Sequence, residues 1–236
     1  MSHKYDFYFA TGQIPGSARR IAVLNDLIYA RLTPWIKRDS SVLELGTGKA
    51  FFARTCAGRG HAYLGVEANQ SQCRQLEQEG FGMVCGRVPP IPVSGKRFDL
   101  IYNAHLMEHL SGSDMVYQLL ADCHRLLETG GVLATLVPDA EAMGMEFWNC
   151  DYTHTYLTTE RRLTQALADA GFRLLASNRF NGHYTGVRRQ LARAGSSRFT
   201  MKGIRALTRS GKRRDLAYRG WMYLQQTLLL VATPAD

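Results

Sequence analysis

Short apolar runs of strand length alternate with helix-patterned segments along most of this chain. No other feature constrains the fold as strongly. Val42-Leu43-Glu44-Leu45, Ala62-Tyr63-Leu64-Gly65-Val66, Met83-Val84-Cys85, Phe98–Tyr102, Val132–Val137, Phe172–Ser177 and Thr227–Thr233 read as seven strands. The segments between them carry helical signals. Ile21, Leu24, Ile28 and Leu32 are spaced as one helix face behind a Ser17 cap, and Asp114–Leu127 is closed by Gly130-Gly131. Lys49–Arg59, Gln70–Glu79 and Thr159–Ala170 read as further helices. Such alternation predicts an α/β fold: a doubly wound, mainly parallel sheet with helices on both faces. Ligands bind such sheets beyond the carboxyl ends of the strands, so the residues just after each strand carry most of the functional information.

The first strand runs into Glu44-Leu45-Gly46-Thr47-Gly48-Lys49-Ala50. Glycines at a strand-to-helix turn let the backbone approach a ligand closely. The second strand ends in Glu67-Ala68, where a carboxylate can accept hydrogen bonds from two ribose hydroxyls. The dinucleotide pattern GxGxxG is not completed, because Lys49, Ala50 and Phe51 follow Gly48. Glu44 would repel a pyrophosphate and would suit a cation. An adenosyl ligand with a positively charged end satisfies both observations.

These residues, with others in the same order, carry a resemblance. Val42–Gly48 resembles motif I of class I S-adenosylmethionine-dependent methyltransferases, and Tyr63–Ala68 resembles their acidic second-strand motif. Ile91-Pro92 with Phe98-Asp99-Leu100-Ile101, then Met107-Glu108-His109-Leu110, then Leu126–Leu133 resemble three later stretches. The small-molecule, glycan and ubiquinone-biosynthesis members are the most similar type. The resemblance implies a Rossmann-like seven-stranded sheet and S-adenosyl-L-methionine as cofactor. It implies that Glu44, Gly46 and Gly48 hold the methionine end and Glu67 the ribose, with Ala68 beside it. Arg87 and Val88 would border the adenine, and Asn103 and His105 would line the floor near the sulfonium. Ala50 stands where a third glycine is frequent, and Arg87 where an acidic residue often lies.

Methyl transfer to a hydroxyl needs a base, and a histidine titrating near neutrality is the natural one. His154, in Asp151-Tyr152-Thr153-His154, is the first candidate, with Asp151 to orient it. His109 is the second, and His105 reads as pocket lining. His183 is an outside candidate; His3, His61 and His124 read as surface residues. Asp151, His154 and Glu108 could together hold a metal, although the spacing does not require one. No (N/D)PP(Y/F) sequence follows the fourth strand, which reads Asn103-Ala104-His105-Leu106, so an oxygen acceptor fits better than a nucleic-acid base. The expected reaction is O-methylation of a small molecule or of a sugar in a lipid-linked or surface glycan. Two alternatives stand beside it: an RNA methyltransferase, and a non-catalytic cofactor-binding regulator.

Charge bears on the acceptor. Of 29 Lys+Arg and 20 Asp+Glu, residues 1–180 hold 18 of each, so the net charge of +9 lies wholly in residues 181–236. Residues 1–236 are expected to form one domain: an N-terminal helix and aromatic lid (1–39), a cofactor core (40–180), a basic helical insertion before the last strand (181–225) and the final strand (226–236). In the insertion Val187, Leu191 and Ala194 oppose Arg188, Arg189 and Arg193. Met201, Ile204, Leu207 and Thr208 oppose Lys202, Arg205 and Arg209. Lys212-Arg213-Arg214 precedes Tyr218, Trp221 and Tyr223. Residues 187–223 could face an anionic membrane, an anionic substrate, RNA or a protein partner, or could simply cover the core. Five scattered cysteines predict free thiols and a reducing, cytoplasmic setting, with the inner membrane face as a peripheral site. The oligomeric state stays open.

Overall fold

The computed structural model describes residues 17–195, 203 and 211–235. The expected aromatic lid (residues 1–12) and nearly all of Phe199–Arg209 lie outside them, and of Lys212-Arg213-Arg214 only the helical backbone is described. Helix α1 (Ser17–Leu32) precedes β1 (Ser41–Leu45), α2 (Phe51–Ala57), β2 (Ala62–Glu67), α3 (Gln70–Gln78), β3 (Met83–Cys85) and β4 (Phe98–Ala104). A 3-10 turn (Met107–His109) leads to α4 (Ser113–Leu126) and β5 (Leu127–Pro138). Two short helices, α5 (Ala140–Met143) and α6 (Glu146–Asn149), come before α7 (Glu160–Asp169) and β6 (Phe172–Asn181). Helices α8 (Gly186–Gly195) and α9 (Gly211–Tyr223) precede β7 (Gln226–Pro234).

The sheet order is β3-β2-β1-β4-β5-β7-β6. Strands β1 to β5 pair in parallel, and β7 runs antiparallel to both β5 and β6. The apolar residues divide by alternation, as the two-residue period of a strand demands. Leu43, Leu45, Leu228 and Leu230 face a core shared with Val116, Leu119 and Leu120 of α4 and Leu163 of α7. Val42, Leu229 and Val231 face the opposite core, with Ile28 and Leu32 of α1 and Phe52 of α2. Central strands buried on both faces explain runs such as Leu228-Leu229-Leu230-Val231.

The structure departs from the sequence reading in a few places. Gly130-Gly131 does not close a helix. It lies in an irregularity of β5, where the pairing moves from Phe98↔Leu127 to Leu100↔Val132. A Cβ at Gly131 would meet the carbonyl oxygens of Glu128 and Phe98 at 2.9 Å, so only glycine fits. Strand β6 runs on to Asn181 because β7 supplies ladder partners as far as Gln226. Cys73 of α3 and Cys85 at the end of β3 form a disulfide, with their Cα atoms 5.7 Å apart. The expectation of free thiols therefore holds only for Cys56, Cys123 and Cys150. Cys73 and Cys85 stand on neighbouring elements that come side by side only in the folded chain. His61 is not a surface residue: it is buried, and its Nε2 meets the Tyr29 hydroxyl at 2.6 Å.

Candidate active site

The strand order reverses between β1 and β4, and the turns after these strands flank the resulting crevice. After β1, Gly46 (φ 74°) donates its N–H to the Val66 carbonyl at 2.8 Å, and Gly48 takes φ 53°. A Cβ on Gly48 would meet nothing within 4 Å, so glycine is needed there for conformation and not for space. Ala50, at the frequent third-glycine position, is held at φ 56° and ψ 35°. That left-handed conformation costs a residue with a Cβ about 1 kcal/mol or more.

Glu67 holds this turn. Its Oε2 accepts the Gly48 N–H at 2.9 Å, and its Oε1 accepts the Asn69 N–H at 2.8 Å. Each carboxylate oxygen has two lone-pair sites, so each keeps one for a ligand hydroxyl. Ala68 is exposed beside it, and the Gly86 N–H donates to the Glu67 carbonyl at 2.9 Å. Arg87 is exposed and Val88 half-buried just past β3.

Glu44 is buried beneath α2 and accepts a hydrogen bond from the Tyr63 hydroxyl at 2.5 Å. Burial pushes its carboxyl up to about 8, although the bond from Tyr63 pulls the other way. Ala50 gives α2 no side-chain cap, and Glu44 receives hydrogen bonding from the backbone of Ala53 in the first turn of that helix. Glu44 thus sits under the turn, while Gly46 and Gly48 form its surface.

Asn103, read from sequence as following the fourth strand, is the penultimate residue of β4 and fully buried. Its Nδ2 donates to Thr135 Oγ1 at 3.0 Å, while its Oδ1 has no hydrogen-bond partner. His105 takes φ 54°, donates its N–H to the Leu136 carbonyl and exposes about half its side chain. Its Nδ1 lies 3.1 Å from Oε1 of Glu108, which is wholly buried. Leu106 lies directly over Gly46, with Cδ1 3.5 Å from where a Cβ would stand, so the 3-10 turn abuts the glycine turn.

The two leading histidines come together. The His109 and His154 rings lie 5.0 Å apart between centroids. His154 Nδ1 faces the Phe147 carbonyl at 2.6 Å, so it must carry the proton, and Nε2 is left as the acceptor nitrogen. Thr153 spends its hydroxyl proton on Asp151 Oδ1 at 2.7 Å and lies 2.8 Å from His109 Nδ1, so that nitrogen also donates. Asp151 therefore orients His109 through Thr153; the expectation that it orients His154 is corrected. Burial holds His109 below the usual imidazole range; burial raises the Asp151 carboxyl, but the bonds from Thr153 together with the His109 and His154 imidazoles hold it below the usual carboxylate range. The amides of Thr155 and Tyr156 donate to the Glu108 carbonyl at 2.7 and 3.1 Å, tying this loop to the 3-10 turn. His183 lies elsewhere, with Nδ1 2.7 Å from the Tyr223 hydroxyl. His124 is half-buried against Phe172.

Comparison with known proteins agrees with this architecture. The profile of a methyltransferase-domain family matches residues 17–177, well over half the chain. The chain belongs to that family of S-adenosylmethionine-dependent methyltransferases. A ubiquinone biosynthesis O-methyltransferase of Parvibaculum lavamentivorans is 25% identical over 154 residues, covering 58% of this chain and 60% of that protein. The methyltransferase thus spans about three fifths of the length of that relative. The CcbJ methyltransferase of Streptomyces caelestis superposes with TM-score 0.63 at 15% identity, over 98% of this chain and 96% of the other. Phosphoethanolamine N-methyltransferase 2 of Haemonchus contortus, in complex with S-adenosyl-L-methionine, gives 0.61 at 16% identity, over 90% and 52%. The residues of the methyltransferase fit the cofactor. Glu67 keeps acceptor sites for ribose hydroxyls, Gly48 has open space where a side chain would stand, and Asn103 Oδ1 is a buried acceptor near the end of β4.

The described part of the basic insertion covers the core only in part. Val187 and Leu191 are 71% and 67% exposed, so the apolar stripe of α8 does not cover the core, whereas Trp221 of α9 is 2% exposed and packs inward. Among the described residues no helix is long and apolar enough to cross a membrane.

Proposed function

We propose that the methyltransferase methylates a hydroxyl of a small molecule or of a sugar in a lipid-linked or surface glycan. One observation carries this reading: two imidazoles and a buried carboxylate converge in the loops at the end of the sheet that also bears the glycine turn. An amine acceptor needs no such group once deprotonated, whereas a hydroxyl must lose its proton as it reacts. The relative named for O-methylation supports the same choice of atom. When bound, S-adenosylmethionine supplies the methyl group on a sulfonium that leaves as a neutral thioether. The protein's task is to orient the acceptor and relieve it of its proton. His154 and His109 are the two histidines placed to do so, directly or through an ion they hold.

A radiolabelled-methyl transfer screen against fractionated cell extract tests this. Label should enter small metabolites or glycan, and label confined to RNA would favour the RNA alternative. With the acceptor in hand, His154→Ala and His109→Ala should lower kcat by about 10²–10⁴-fold, with cofactor Kd nearly unchanged.

We also propose that α8 docks on an anionic membrane surface, delivering a lipid-linked acceptor. Its exposed Val187 and Leu191 stand among Arg188, Arg189 and Arg193, and the helix has no acidic residue. In flotation assays the protein should rise with anionic vesicles and not with zwitterionic ones. Val187→Asp/Leu191→Asp should abolish this, and flotation unchanged by the double substitution would refute it.

A further inference from the structure

We infer that Glu108, His109 and His154 form a binding site for a divalent first-row transition ion, such as Mn2+, Co2+ or Zn2+, that takes the acceptor oxygen as a further ligand. The inference rests on the acceptor-side reading above and gives that site its chemistry. One ligand atom from each of the three residues lies within 4.8 Å of the other two, close enough for a single ion to reach all three. They come from two separate loops, which the bonds from the Thr155 and Tyr156 amides to the Glu108 carbonyl hold in place. The Thr155 hydroxyl adds a third tie, to the Leu110 carbonyl at 2.7 Å. The ligands are therefore positioned by backbone, before any ion arrives.

The unsatisfied atom points the same way. Glu108 is fully buried, its Oε1 is engaged by His105, and its Oε2 has no hydrogen-bond partner. A carboxylate oxygen buried without a partner is costly, and a cation removes that cost. Both imidazoles have Nδ1 oriented by a second group, Thr153 for His109 and the Phe147 carbonyl for His154. That arrangement fixes the tautomer that offers Nε2 to a metal. Asp151, behind Thr153, adds negative charge at second remove. The sequence made a triple of Asp151, His154 and Glu108 conceivable without requiring an ion; the geometry puts His109 in the place of Asp151.

Two nitrogens and one oxygen suit borderline divalent ions better than Mg2+ or Ca2+, which favour all-oxygen shells. Three protein ligands leave coordination positions open, as at catalytic metal sites. An acceptor hydroxyl bound there ionises more readily. Its O–H bond breaks, the electron pair stays on oxygen, and the proton passes to solvent. No oxidation state changes.

Titration of tag-free, chelator-treated protein with Co2+ alone tests the inference. It should be done without reductant, so that the Cys73–Cys85 disulfide stays closed and the separate Cys73-Glu77-Cys85 group cannot compete. Wild type should bind one Co2+ and develop visible ligand-field absorption. Glu108→Gln and His154→Asn should each weaken Co2+ by about a hundredfold or more, while both still bind S-adenosylmethionine. Wild type that binds the cofactor but no Co2+ overturns the metal site and leaves the methyltransferase assignment standing. So does Co2+ affinity unchanged in both variants. Transfer to a hydroxyl at full rate after chelation would show that the histidines act without an ion, and would also overturn it.

Discussion

Glu67→Ala should lose S-adenosylmethionine binding by about a hundredfold or more, because one side chain serves both the cofactor and the turn that receives it. Each hydrogen bond to a charged group contributes about 1.5–3 kcal/mol, so two ribose contacts account for that loss on their own. The same carboxylate accepts the Gly48 and Asn69 amides, so its removal also loosens the Gly48 end of the turn, leaving Gly46 held by the Val66 carbonyl. Glu67→Gln should fall between, since an amide retains only one acceptor oxygen. Calorimetric titration checks the series, with circular dichroism to confirm the fold. Wild-type affinity in Glu67→Ala would remove the ribose assignment.

The second large effect is a pH dependence centred on Glu44. Its carboxyl is raised from an ordinary 4.5 to about 8, chiefly by burial. Between those values the folded protein holds a proton that the unfolded chain has released, so raising pH favours unfolding. The stability lost reaches at most about 1.4 kcal/mol per pH unit. Below 4.5 both states are protonated and the effect vanishes; above about 8 the loss is complete. Glu44→Gln should remove this slope, so the variant should gain on wild type as pH rises through this window. Denaturant unfolding at pH 5, 6.5 and 8 measures the difference, and a constant difference would show that Glu44 does not titrate there. A cationic cofactor beside Glu44 favours the carboxylate, so binding should release protons and tighten as pH rises.

Much of the cofactor side was legible because its signals are local. Gly46, Gly48 and Glu67 lie at strand ends that the apolar pattern marks, and the structure bonds Gly48 directly to Glu67 and Gly46 to the preceding Val66. The acceptor side was legible as separate residues but not as an assembly. His109, Asp151 and His154 stood out by type and position. What joins them is Thr153, which no pattern singled out, and two backbone amides on the Glu108 carbonyl. Helices α5 and α6 span four residues each, too few for a helical period to register. For Trp221 the basic neighbours left core cover and an outward interface both open, and packing buries it. The disulfide partners sit 12 residues apart on elements whose adjacency only the fold creates.

The reversed last strand has a consequence for how such an enzyme can diversify. Because β7 enters the sheet opposite Pro138 and leaves opposite Leu133, the connection arriving from Asn181 of β6 opens on the edge where β5 ends. That is the edge bearing the glycine turn and the histidines. Residues added between β6 and β7 accumulate at the doorway to the reaction and not on the far side of the molecule. Both framing strands stay locked in the ladder whatever is inserted. We propose that selectivity for acceptors is housed in this exchangeable attachment, so that the cofactor machinery need not change when it does.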